Sequence, residues 1–193
     1  MQRLRKRIPF AFQSEIGGDE QIVLDEQEQA EVVEEFRQQN VASHQQYRNY
    51  LQIMLGLSCL LHVIYWFSER ESPLFTFFPP SPLQHDANSP LDISGILAYV
   101  AILIHVNLCL LVHPRNIVVA GHPIRAIGFL ETFAWSAAAP IISIYWQKAW
   151  QTTAWWCTSG FLTAVVYVIH GWIERADEEV RELEKLRYRA AGA

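Results

Sequence analysis

The chain has 193 residues and a net charge of −5, with 51% hydrophobic and only 18% charged residues. That length suits one domain, and no strong positive field is present of the kind that nucleic-acid binding needs. The charge is also unevenly placed: acids and bases crowd the first fifty and last twenty residues, and a long middle stretch is nearly stripped of them, which is a membrane signature.

In chain order, a basic arm comes first (Arg3, Arg5, Lys6, Arg7), suited to a solvated tail or to contact with anionic lipid headgroups. No apolar run follows it, so it does not read as a secretory signal. A mitochondrial import segment would be acid-poor, and Glu15 ends that character early. Asp25 with Glu28 three residues later resembles a capping box opening a helix. Val33, Phe36 and Val41 then form a thin apolar stripe, and the helix is expected to continue through Tyr47 into the first apolar run. Residues 1–49 are therefore expected to form a tail with an amphipathic helix.

Four apolar runs follow, at 50–68, 93–112, 126–146 and 153–173. Each is about 20 residues, enough for an α-helix to cross a hydrocarbon core of about 30 Å. A single segment in lipid must satisfy its own backbone, so helix is the expected form. The third run is the weakest, carrying Glu131 and Pro140. Only about six residues separate it from the fourth, which predicts a tight antiparallel hairpin. The loop at 69–92 holds Pro73, Pro79, Pro80, Pro82 and Pro90, which preclude a regular helix. Its Phe75, Phe77 and Phe78 are expected at a membrane interface or on the bundle end.

Residues 174–193 are expected to prolong the fourth span as a charged helix, supported by Glu178–Arg181, Glu182–Lys185 and Glu184–Arg187 spacings, with Val180, Leu183 and Leu186 as its apolar side. This stripe and the N-terminal one invite pairing with each other or with a partner; alone they are too short for a stable coiled coil. With four spans, both termini share a side with Arg37, Arg48, Arg115, Arg125, Arg175, Arg181, Lys185, Arg187 and Arg189, against only Arg70 and Lys148 opposite. The positive-inside rule then puts both ends in the cytosol. Trp66, Trp146, Trp150, Trp155 and Trp156 fall together at the opposite interface, as an aromatic belt would. The expected architecture is thus an all-α, polytopic four-helix transmembrane bundle with cytosolic N- and C-terminal helices.

Chemistry is sparse. Cys59, Cys109 and Cys157 lie singly in apolar runs, as small core residues. No metal-binding spacing, nucleophile elbow, phosphate-cradling glycine loop or CxxC is present, so no metal, cofactor or catalytic residue is assigned. The candidate polar site is Glu131, His105 and Asn107, which share a depth of roughly 8–10 Å by helical rise, with His170 nearer the surface. His62 falls in the other half of the first span and is left out of that set. Ionisable groups within spans are functional candidates; a Glu131–His105 pair could relay a proton or hold a lipid headgroup, or simply order the bundle. The leading expectation is a non-enzymatic subunit or adaptor of an endoplasmic-reticulum or nuclear-envelope membrane complex, with the lipid bilayer and other membrane proteins as partners. Lipid handling at the Glu131 site, with a bound lipid, is the alternative, and a small oligomeric transporter or channel the third. The mitochondrial inner membrane is the alternative location.

Overall fold

The computed structural model describes residues 26–68, 72–79, 91–113, 118–119, 122–123 and 125–190. Asp25, the basic arm and most of the proline-rich loop lie outside these residues. Four α-helices carry the fold: α1 (Glu26–Phe67), α2 (Ser94–Val112), α3 (Phe129–Tyr145) and α4 (Trp150–Ala190). α1, α2 and α4 are long and apolar enough to cross a membrane. α1 and α4, at 42 and 41 residues, run unbroken from apolar span into charged extension, as the sequence predicts. Between α2 and α3, Val118–Val119 pairs antiparallel with His122–Pro123 in a minimal hairpin.

α3 departs from expectation. It has 17 residues and starts at Phe129, three residues later than the apolar run. The cause is Asn107 on α2. Its side-chain oxygen accepts the Ile127 backbone N–H at 2.7 Å, and its amide donates to the Ile127 carbonyl at 3.1 Å. Such paired bonding is what a neighbouring β-strand offers, and it holds the chain extended up to Gly128 (φ −63°, ψ 164°), the N-cap. Pro140 sits inside α3 without ending it. At the other end, Gln147 takes a left-handed φ of 51°. Lys148 N–H bonds the Ser143 carbonyl and Gln147 N–H bonds that of Ile144. This is a Schellman motif, and it turns the chain into α4 within four residues, the tight hairpin anticipated.

The proline-rich loop contributes one short 3-10 turn, Pro73–Thr76, opened by Pro73. It is pinned to the start of α4: Ser72 Oγ donates to the Gln151 carbonyl, and Gln151 Nε2 donates to that of Phe78. Phe75 is half-buried, while Phe77 and Phe78 stay exposed.

The core follows helical stripes. Near the charged extensions, Leu51 and Leu55 of α1 meet Ile104, Leu108 and Val112 of α2 and Leu162 and Val166 of α4. Toward the loop end, Tyr65, Leu97, Ala98 and Ala139 surround Trp155 and Trp156. These two tryptophans are buried, so they are not belt residues as the sequence suggests; they lie on the inward stripe of α4. Trp66, Trp146 and Trp150 remain at the surface. α3 presents Thr132, Ser136, Ala139 and Ser143 inward, one stripe of small side chains that lets α4 approach, and Gly160 sits against Ser136. The buried polar groups contrast with an outer face bearing Ile53, Leu57, Leu60, Leu61 and Ile64. Large apolar residues outside and small or polar ones inside suit a helix bundle solvated by lipid.

Candidate functional site

The buried polar centre forms between α1 and α2. His105 Nδ1 lies 2.6 Å from the Ala101 carbonyl, and His62 Nδ1 lies 2.9 Å from that of Ser58. A carbonyl only accepts, so in both rings Nδ1 carries the proton. That leaves His105 Nε2 to accept the Ser58 hydroxyl proton at 2.8 Å. Ser58 therefore serves both histidines, one through its carbonyl and the other through its hydroxyl. The two rings are 4.9 Å apart, and His62 stacks on Trp155 at 4.7 Å and 22°. Tyr65 packs on the same tryptophan and meets Trp156 edge-on. Among the described residues, His62 Nε2 and the indole N–H groups of Trp155 and Trp156 have no hydrogen-bond partner.

His62 thus belongs with His105, against the sequence reading. Helical rise places Cα atoms, whereas side chains lean toward the N-terminus of their own helix. α1 and α2 are antiparallel, so the two imidazoles lean toward each other and close the gap. The signal available in the sequence was the single α1 stripe of Leu51, Leu55, Ser58, His62 and Tyr65.

The other members of the expected set lie elsewhere. Asn107 is buried but fully occupied: besides Ile127, its amide donates to Thr132 Oγ1 at 3.0 Å, and that hydroxyl donates to the Gly128 carbonyl at 2.7 Å. Asn107 is a clamp between α2 and the start of α3. Glu131 is exposed in the first turn of α3. Its carboxylate folds back over Gly128, where an added Cβ would come within 2.6 Å of Oε2. An acid at that position also complements the positive end of the helix dipole. No ion pair joins Glu131 to His105, whose ring nitrogens are both engaged as above. His170 sits on α4, with Nδ1 3.4 Å from Glu174 Oε1 and its ring edge-on to Phe129. Among the described residues no group of three His, Cys, Asp or Glu side chains could hold a metal.

The charged extensions pair with each other. Asn40 Nδ2 donates to the Ala176 carbonyl at 3.2 Å, His44 Nδ1 is 3.5 Å from Asp177, and Arg37 is 4.0 Å from Glu184. His44 is buried in this contact. The register is antiparallel, so α1 and α4 form a two-helix stalk. The expected Glu178–Arg181 and Glu182–Lys185 pairs do not form; Arg181 Nε donates instead to the Asp177 carbonyl. The side chains of Leu186 and Arg187 lie outside the described residues. Val33 and Val180 are half-buried, whereas Phe36 (50% exposed), Val41 (63%) and Leu183 (42%) point outward.

No protein-family model, curated protein or solved structure matches this chain.

Proposed function

We propose that the chain is a non-enzymatic subunit or adaptor of a membrane protein complex, crossing the bilayer four times with both termini in the cytosol. The observation that carries this reading is the stalk. Two helices continue without a break from their spans, are held together by polar contacts, and turn Phe36, Val41 and Leu183 outward. A partner burying those side chains would gain about 1.5–3 kcal/mol for each one fully covered.

The α3 helix is about 25 Å long at 1.5 Å per residue, some 5 Å short of a typical hydrocarbon core. The extended segment before it, whose Ile127 backbone is bonded by Asn107, makes up the difference as a fourth crossing. The basic residues Arg37, Arg48, Arg125, Arg175, Arg181 and Lys185 then share the cytosolic side. We assign the endoplasmic reticulum or nuclear envelope as the location, with the mitochondrial inner membrane as the alternative.

The test is purification of the tagged chain in mild detergent with quantitative mass spectrometry of what accompanies it. A stoichiometric partner is expected, and the triple substitution Phe36→Glu, Val41→Glu, Leu183→Glu is expected to release it while leaving helicity unchanged. A wild-type chain that purifies alone, or a partner retained by the triple variant, would defeat the adaptor reading.

A further inference from the structure

Where α4 leaves its apolar span for the stalk, a cleft of about 510 Å³ opens between it and the first turn of α3. That size lies within the ordinary range for small-ligand sites, about 300–1,000 Å³. Tyr167, Gly171, Glu174 and Glu178 line it at spacings of four, three and four residues, so they form one stripe of α4. Gly171 is the open floor: a Cβ added there would meet nothing within 4 Å. Phe129 closes one wall, edge-on to Tyr167 at 5.4 Å. Trp172 and Arg175 stand on the flank.

The chemistry of this lining is mixed in an informative way. Trp172, at the end of the apolar run, is more than half exposed, and an aromatic face at headgroup depth attracts organic cations. Glu174 is held by His170. Arg175 and Glu178 have no ion-pair partner among the described residues. One free guanidinium beside carboxylates and aromatic rings matches a ligand with both a phosphate and an ammonium group. A purely anionic headgroup would face the two glutamates. The cleft lies at the junction of the apolar and charged parts of α4, which is where a bilayer places its headgroups.

We infer that this cleft binds the headgroup of a zwitterionic phospholipid of the phosphocholine class, with its phosphate at Arg175, its ammonium at Glu174 and Glu178, and its glycerol end toward Tyr167. The site does not depend on the stalk having a protein partner. Of the set considered from sequence (Glu131, His105, Asn107 and His170) it includes only His170.

The full chain reconstituted in nanodiscs, with trace spin-labelled phosphatidylcholine or phosphatidylglycerol, tests this by the fraction of label immobilised. Wild type is expected to immobilise the phosphatidylcholine label several-fold more than the phosphatidylglycerol label. Gly171→Leu fills the floor, and replacing a helical glycine favours the helix; it is expected to abolish the excess. Arg175→Gln with Glu178→Gln, both on the exposed face, is expected to abolish it independently of any packing change at Gly171. Equal immobilisation of both labels by wild type would overturn the proposal. So would wild-type selectivity in either variant when its thermal unfolding matches that of wild type.

Discussion

Replacing Asn107 with alanine should unseat the start of α3. The side chain makes three hydrogen bonds: two to the backbone of Ile127 at 2.7 and 3.1 Å, and one to Thr132 Oγ1 at 3.0 Å. Side-chain hydrogen bonds between membrane helices average about 0.6 kcal/mol and reach about 1.7, so three contribute roughly 2 kcal/mol. In the proposed fourth crossing, the alanine variant also strands the Ile127 N–H and carbonyl where lipid offers no replacement, at about 1–3 kcal/mol for a lost partner. The expected destabilisation is therefore about 3–5 kcal/mol. Thr132→Val removes only the third bond from Asn107, and Thr132 Oγ1 also donates to the Gly128 carbonyl, so its cost should be nearer 1 kcal/mol. Reversible unfolding in mixed micelles or by steric trapping gives the stability, and amide hydrogen exchange at Ile127 reports the local change. If Asn107→Ala stays within about 0.5 kcal/mol of wild type and the Ile127 amide exchanges no faster, the clamp does not hold α3 and the reasoning is wrong.

Two further stability changes follow from single positions. Gln147 occupies the left-handed position of the α3 Schellman motif, so Gln147→Gly should stabilise by about 1 kcal/mol through relief of the Cβ–carbonyl clash; Gln147→Val should destabilise, both read in the same unfolding assay. Leu55 is fully buried against Leu108 and Val166. In a soluble core Leu→Ala costs about 2.7–5 kcal/mol as transfer plus cavity terms. Lipid is as apolar as the leucine it would receive, so only the lost packing remains, and Leu55→Ala should cost about 1–3 kcal/mol. A value near 5 would mean that this part of the bundle is water-solvated when unfolded.

The helices were legible because apolar length is a sufficient signal when the backbone must satisfy itself. The 50–68, 93–112 and 153–173 runs emerge as the membrane-length parts of α1, α2 and α4, and the charged flanks as their continuations. The α3–α4 hairpin was legible from the short spacing between runs. The start of α3 was not, because it is set by one side chain on another helix, twenty residues away in sequence. Nor was the separation of Glu131 from His105: equal depth along two helices says nothing about which way each side chain faces.

Trp155, Trp156 and His62 show the same limit from the inside. On a soluble helix, polarity separates the core face from the solvent face. In a lipid-solvated bundle the outer face carries Ile53, Leu57 and Ile64, while His62 and His105 go inward, so hydrophobicity alone does not mark the interior. The sequence by itself determined that these segments are helices and where charge excludes them from lipid. Only the tertiary structure decided their facing, and with it the histidine pair, the Asn107 clamp and the stalk. Facing is settled by close packing and by each buried polar group finding its partner, and both depend on contacts that no single segment contains.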